Sequence, residues 1–569
     1  MMMRLAVALA ASFFACSAQA RIDKTDIDRG LAGIVEGKGA TDPLAGAALA
    51  VYKGDRLVYA GAAGCAEYDA DGKTCARALA PEMKLRVASI SKMALAIGLK
   101  PLVDSGAVDL DADVSRYLGW TLRNPNFPDH PITARQLLSH TSSIRDPEAY
   151  WADAPEKFQA IFKDPNAFAA AAGAPESRAP GAWFEYANLN FGVLAGVIEG
   201  ATGERFDLYM KRALFDPLGL DAGYNWSGVS APARAAGAAL HRREDGLWRV
   251  TVDDAAMRSA APAPFRAADG LDRAGYLAGY KPGDNPTLFS PQGGLRASVL
   301  DLGRIAMALK SADSLTAPQW RYDPASPNGE TDDGFFAAFG LGVQTVKGSG
   351  DFYRARTIIG HPGEAYGLYS GAWLVKAEAG AGFPDDLVIA FAATGAQETP
   401  GEGAHPSFNA VEERLMRLAM KAAYADDAAA PEPFDEKADA RAAVETALAV
   451  AAADNRNALF ILGGNWCHDS RALARSLMEP ALASLVADNF HTVFVDVGRR
   501  DRNLWLPRRY GVGPLAGTPT ILIVGPDGAL RNPDTVFALT SADSQPIAAI
   551  TDYFRAYAPN GPKGPEAVD

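Results

Sequence analysis

Basic residues are in deficit: 55 Lys and Arg against 68 Asp and Glu leave a formal charge of −13 over 569 residues. Neutralising phosphates needs clustered Lys and Arg, so no nucleic-acid partner is expected. Beyond the first twenty residues the chain also lacks any charge-free apolar run of the roughly 20 residues that cross a bilayer as a helix, so no transmembrane segment is expected in the mature protein. No repeat of 20–50 residues is visible, which removes solenoids and propellers. Cysteine is scarce, four in all. The adjacent Cys467, His468 and Asp469 cannot all turn to one ion from a helix and no second cluster accompanies them, so neither a metal nor another cofactor is expected.

What is present describes a folded, multidomain chain. The hydrophobic fraction is 48% and the charged fraction 22%, ordinary for globular proteins, and the length exceeds what one core supports, so two or three domains are expected. Arg4, the apolar run from Leu5 to Ala15 and Ala18-Gln19-Ala20 have the order of a secretory signal, removed after Ala20. The mature protein is then periplasmic or secreted. Cys16 offers a lipid-anchor alternative, against which stand Phe13 and Phe14, where such sites usually carry Leu and a small residue. Of the remaining cysteines, Cys65 and Cys75 bracket AEYDADGKT and can bridge in an oxidising compartment, the alternative being two free thiols near a hairpin end. Cys467 is left unpaired.

Residues 45–64 read as two β-runs turning at Gly54-Asp55. From Ser89 to Ser105 apolar residues recur at helical spacing, although Pro101 should kink or shorten that helix. Residues 107–290 mix helical stretches with Pro- and Gly-rich connections, as in a helical subdomain with long loops. Strand character returns at 339–346, 367–375 and 387–394. The segment 426–438, rich in Ala, Pro and acidic groups, reads as a linker between a domain at 21–425 and another at 439–569. The second alternates a helix near 439–453, strand NALFILGG, a helix from Cys467, strands TVFVDVG and PTILIVG, and an amphipathic helix near 541–557, the order of an α/β sandwich.

Three short elements carry chemistry. Ser89-Ile90-Ser91-Lys92 opens a helix, and residues three apart share a helical face, so Lys92 reaches back over the Ser89 hydroxyl. A desolvated Lys can be neutral enough to take that proton, and the helix N-terminus favours negative charge on an attacked carbonyl. Tyr186-Ala187-Asn188 precedes an apolar helix: a Tyr with a lowered pKa can shuttle a proton, and an Asn amide can hold both Lys92 and a substrate carbonyl. The plainer alternative makes Tyr186 a packed aromatic and Asn188 an N-cap. His361-Pro362-Gly363 leads into a strand, where Gly363 would let a substrate backbone approach the strand edge. Alone, each element is commonplace; a lone His beside a Gly is usually a loop residue.

In the order Ser-x-x-Lys, Tyr-x-Asn, His-x-Gly, residues 30–420 resemble the serine β-lactamase and penicillin-binding-protein superfamily, especially its class C-like esterases, peptidases and carboxypeptidases. QLLSHTSSIRD (136–146) is similar to that branch's Leu-Leu-x-His-Thr-Ser-Gly turn with Ser143 in place of the Gly, and QGGLRASVLDLGRIAMAL (292–309) to its Gly-Gly segment. The resemblance implies an α+β fold, an antiparallel sheet with a helical subdomain. It also implies Ser89 as acylated nucleophile, Lys92 and Tyr186 as general acid and base, Asn188 as positioning amide, and the backbone N–H groups of Ser89 and Glu364 as oxyanion hole. His361 takes the family's Lys position, and His140 falls in a structural segment outside the site. Near its ordinary pKa of about 6.5, His361 would be only partly charged at neutrality, and Pro362 has no hydroxyl, which disfavours strong β-lactam turnover.

Trp466-Cys467-His468-Asp469-Ser470 at a helix start, with Gly517-Thr518-Pro519-Thr520 before a strand, is similar to the thioredoxin superfamily, whose Trp-Cys-x-x-Cys helix faces a cis-proline. The resemblance covers about 440–560, makes Pro519 the cis residue, and departs at Ser470, which replaces the resolving Cys. Cys467 then either keeps a monothiol activity toward a thiol partner or belongs to a packing or binding module without redox function. For the whole chain the expectation is an exported serine hydrolase of ester, amide or small peptide substrates; the alternative is a ligand-binding or sensor protein with little or no turnover.

Overall fold

The computed structural model describes residues 24–39, 42–169, 178–260, 265–349, 352–377, 386–397, 401–429, 432–545 and 547–559. The expected signal and Cys16 lie outside the described residues.

A nine-stranded antiparallel sheet organises the first region, in the order Cys75–Ala78, Arg56–Tyr68, Gly46–Lys53, Leu387–Thr394, Leu368–Val375, Phe352–Ala365, Gln344–Ser349, Ala338–Phe339, Trp320–Arg321. First and late strands thus lie side by side, Leu49 opposite Phe391 and Val51 opposite Ile389. The central strands are buried on both faces, which is why they read as unbroken apolar runs. Alternation then divides their side chains between two cores. Leu49 and Val51 join one core with the flanking helices Lys24–Val35 and Ala410–Ala429, while Ala48, Ala50 and Tyr52 join the other with the helical subdomain.

At the centre of that second core runs Ile90–Asp104, buried over its whole first stretch from Ile90 to Leu99. It continues past Pro101 instead of stopping there, since the ring sits in the last turn and removes a single ladder bond. The opening hairpin turns at Gly54-Asp55 as expected, and a disulfide joins Cys65 to Cys75 with the Cα atoms 5.8 Å apart.

Three expectations are corrected. The stretch 107–290 is not only helical, for Leu240–Glu244 and Leu247–Val252 form a hairpin at Asp245-Gly246, both with positive φ as such a turn requires. His361-Pro362-Gly363 lies inside the Phe352–Ala365 strand and does not precede it. The helix Ala410–Ala429 runs into the expected linker, because alanine is the strongest helix former and the first breaker is Pro431.

In the C-terminal region Asn457–Gly463 is the middle of a three-stranded sheet, parallel to Phe490–Asp496 and antiparallel to Thr520–Val524. Helices Ala440–Asp454, His468–Ser476 and Ile547–Ala556 pack around it, giving the α/β sandwich expected. The stretch after Cys467 is two helices, the second beginning at Pro480.

Candidate active site

The position of Ser89 is set by a strained turn. Ala88 has a φ of 47°, a left-handed conformation that L-residues adopt at a cost, and it directly precedes Ser89 at the strand-to-helix junction. Ser91 holds the turn: its Oγ donates to the Ala88 carbonyl at 2.6 Å and accepts the Leu295 N–H at 3.0 Å. Ser89 occupies the N-cap position, yet its hydroxyl makes no capping bond. It accepts instead from Lys92 Nζ at 2.8 Å.

Lys92 is fully buried, and its Nζ meets three acceptors: Ser89 Oγ, Asn188 Oδ1 at 2.8 Å and the Gln292 carbonyl at 3.1 Å. An ammonium has three protons to place, and all three are placed. Burial nevertheless disfavours the charge and pushes the pKa down to about 7, opposed in part by the Asp146 carboxylate. A neutral amine beside the Ser89 hydroxyl is therefore well populated near neutrality.

Asn188 stands at the N-cap of Leu189–Thr202, but its side chain caps nothing. Asp146 does that work from a neighbouring loop: its Oδ2 accepts the Asn188 N–H at 2.9 Å and Nδ2 at 2.8 Å, and its Oδ1 accepts the Leu189 N–H at 2.8 Å. With Nδ2 committed to a carboxylate, Oδ1 must face Lys92. The plainer reading of Asn188 as a cap is thus replaced by a relay from Asp146 through Asn188 to Lys92. The sequence reading missed Asp146, although it ends the segment QLLSHTSSIRD.

The Tyr186 hydroxyl is hydrogen-bonded to Ser89, and its ring is held between His140, centroids 4.3 Å apart, and Phe336, 5.2 Å apart. Burial pushes its pKa up, not down as the sequence reading supposed, so Tyr186 keeps its proton at neutral pH. His140 is buried with its pKa far below the ordinary value, and its Nδ1 accepts the Ala187 N–H at 3.0 Å. It supports the Tyr186–Asn188 segment from behind, in keeping with its place outside the site. Ser143, at the family's Gly position, does adopt a φ of 63°, and its Oγ accepts from Asn124 at 3.2 Å.

His361, Gly363 and Glu364 line the same cleft as Ser89, Tyr186 and Asn188, a cavity of about 1320 Å³. A Cβ on Gly363 would stand 2.6 Å from the Val87 carbonyl and 3.2 Å from Ser89 N, so the glycine is required by the turn that carries Ser89 before any substrate is considered. His361 is 1% exposed with Nδ1 at 2.5 Å from the Pro362 carbonyl. A carbonyl only accepts, so Nδ1 carries the proton. Burial first, then nearby Lys92, push its pKa down to about 3, which makes His361 neutral where the sequence reading had it partly charged. Among the described residues no group of His, Cys, Asp and Glu is placed to hold a metal ion.

The C-terminal motif gathers separately. Cys467 is the N-cap of His468–Ser476, 6% exposed, its Sγ at 3.2 Å from the Thr518 carbonyl and 3.3 Å from Thr518 Oγ1. The Thr518–Pro519 bond is cis, Trp466 is exposed, and Ser470 is wholly buried with no partner for its Oγ among the described residues.

Comparison with known proteins follows this division. The Beta-lactamase family model matches residues 31–413 and the Thioredoxin-like model residues 439–526. D-alanyl-D-alanine-carboxypeptidase/endopeptidase AmpH of Escherichia coli (strain K12) is 26% identical over 145 residues, 24% of this chain and 35% of that protein. Esterase EstB of Burkholderia gladioli is 29% identical over 195 residues, 32% of this chain and 47% of that protein. The chain thus spans between about a third and a half of the length of these two curated relatives. Among solved structures, D-amino acid amidase from Ochrobactrum anthropi SV3 is similar at 19% identity and a TM-score of 0.47, covering 70% of this chain and 99% of that one.

Proposed function

The chain belongs to the Beta-lactamase family, and from that premise we propose that it is an exported serine hydrolase acting through a Ser89 acyl-enzyme on ester, amide or small peptide substrates. One observation carries the reading: Lys92 Nζ lies 2.8 Å from both Ser89 Oγ and Asn188 Oδ1 with its pKa brought down to about 7. A base so placed takes the Ser89 proton as Oγ attacks the substrate carbonyl. Negative charge on the carbonyl oxygen is met by the N–H groups of Ser89 and Glu364. The carbonyl-to-leaving-atom bond then breaks, Tyr186 protonates the leaving atom, and Lys92 returns a proton to Tyr186. Water attacks the acyl ester, its proton passes back through the same pair, and Ser89 is released with the acid product.

The Cys65–Cys75 disulfide supports export to an oxidising compartment, as does the N-terminal sequence. Neutral His361 supports esters and amides over β-lactams, since it offers no fixed cation to a substrate carboxylate. The test is one panel of p-nitrophenyl esters, D-amino-acid amides, muropeptides and a chromogenic cephalosporin, with the cephalosporin expected to be the poorest substrate. Cephalosporin turnover exceeding that of every ester and amide would overturn this ranking.

The thioredoxin-like domain does not act as a dithiol reductase in this reading. Release of a reduced partner needs a second thiol to attack the mixed disulfide, and Ser470 has none. The purified protein should leave insulin unreduced, and Ser470→Cys should create that activity. Insulin reduction by the unaltered protein would contradict the assignment.

A further inference from the structure

Two arginines stand opposite each other where the strand Leu85–Arg86 pairs with Leu295–Ala297, and only one of them has a counter-ion. Arg296 is buried and forks onto Asp253, its Nε 3.0 Å from Oδ2 and its Nη2 2.8 Å from Oδ1. Trp226 Nε1 donates to the same Oδ1 at 2.9 Å, so both oxygens of Asp253 are taken. Arg86, three residues before Ser89, has no ion-pair partner among the described residues. Its Nη2 donates to Ser290 Oγ at 3.1 Å, its Nε is covered and meets no acceptor among the described residues, and its guanidinium lies over the Tyr366 ring, 4.7 Å from the centroid.

Arg86 lines the same cleft as Ser89, and the main chain at Gln292–Gly293 ties the two together. The Gln292 carbonyl accepts from Lys92 Nζ at 3.1 Å, while a Cβ on the next residue, Gly293, would stand 3.8 Å from Arg86 Nη2 and 3.9 Å from both the Cα and the carbonyl carbon of Ala88. One short segment therefore holds Lys92 and borders both the guanidinium and the turn that carries Ser89. A glycine there leaves the space between them to the cleft. Along the neighbouring strand His361 precedes Gly363, which abuts Ser89 N, and Tyr366 follows it. The Arg86 cation thus stands at the Tyr366 end of the site, away from His361.

A guanidinium keeps its proton at any working pH, so this charge persists although burial, and after it Arg296, disfavours it. With Asp253 spent on Arg296 and Trp226, an anion arriving from the cleft would supply the missing counter-charge and accept from N–H groups that have no acceptor in the protein. A planar guanidinium held flat on a ring presents its edge, and a carboxylate matches that edge as Asp253 matches Arg296 on the paired strand.

We propose that Arg86, held against Tyr366 and beside Gly293, seats a carboxylate of the substrate, so that the esters, amides or peptides acylating Ser89 carry an acidic group at the end of the cleft away from His361. This rests on the serine-hydrolase reading above. The acid can belong to the acyl or the leaving portion, and two pairs of near-isosteric probes cover both. Methyl hydrogen adipate is set against methyl adipamate, and (phenylacetoxy)acetic acid against (phenylacetoxy)acetamide, all followed by acid release at constant pH.

In at least one pair the carboxylate-bearing ester should be hydrolysed with a kcat/KM roughly tenfold or more above its carboxamide counterpart, because a charge-assisted fork outweighs a neutral hydrogen bond. Arg86→Gln removes the cation and should abolish or invert that ratio. Tyr366→Asn removes the ring under the guanidinium and should lower the ratio severalfold. Tyr366 is exposed at a turn with a φ of 57°, a conformation that asparagine adopts readily, so this variant decides the matter should Arg86→Gln fail to fold. Near-equal kcat/KM within both pairs, no turnover of either carboxylate probe by a protein that a fluorophosphonate labels, or a preference unchanged in every variant that folds overturns the proposal while leaving the serine hydrolase standing. Absence of turnover on every ester, together with a Ser89 that no fluorophosphonate labels, overturns the hydrolase reading and this proposal with it.

Discussion

Ser89→Ala is expected to lose all labelling by a fluorophosphonate and to lower ester kcat by roughly 10^3-fold to 10^6-fold, the scale seen when one member of a catalytic unit is removed. Its thermal midpoint should hardly move. The hydroxyl caps no helix, and its loss leaves Lys92 with two other acceptors, Asn188 Oδ1 and the Gln292 carbonyl. The bonds lost, with Lys92 and with Tyr186, are each worth about 1 kcal/mol. A large fall in activity at nearly constant stability separates the loss of a nucleophile from damage to the fold. Ordinary ester hydrolysis by pure Ser89→Ala protein would sink the assignment.

Much of the frame is legible in the chain because it depends on local pattern. The two-faced burial of Gly46–Lys53, Leu368–Val375 and Leu387–Thr394 shows as unbroken apolar runs, and the Ser89-to-Lys92 spacing places the amine over the hydroxyl on any helix. The cis bond at Thr518–Pro519 also falls where the motif puts it. What escaped depends on contacts that sequence does not encode locally. Asp146 acts on Asn188 across 42 residues, and Gln292 contributes its main-chain carbonyl, which no side chain announces. The charge states of His361 and Tyr186 follow from burial, and burial is decided by the assembled cleft. The hairpin at Leu240–Val252 is a different kind of miss. Its Asp245-Gly246 turn signal stood in the sequence, overshadowed by the helical character of its surroundings.

Removing the base should cost nearly as much as removing the nucleophile: Lys92→Ala is expected to lose roughly 10^3-fold or more in kcat, because residues that act as one unit give non-additive losses. Lys92→Arg should not rescue it, since a guanidinium keeps its proton at any working pH. The pH profile carries the sharper test. A lysine base works deprotonated, so kcat/KM should rise with pH through a limb near 7 and fall away below it as the ammonium forms. Asp146 stabilises that ammonium and so raises the pKa of Lys92. Asp146→Asn removes the negative charge and should move the limb to lower pH. It should also lower kcat, because one of the two carboxylate oxygens that accept from Asn188 and Leu189 becomes an amide nitrogen, which cannot accept. Rescue of Asn188 alone cannot mimic the shift, which is electrostatic. Glu412, with its pKa near 8, is another group in the cleft that titrates in this range, so Glu412→Gln serves as the control and should leave the limb where it is. A limb that stays near 7 in Asp146→Asn, or that moves only in Glu412→Gln, would assign the titration to a group other than Lys92.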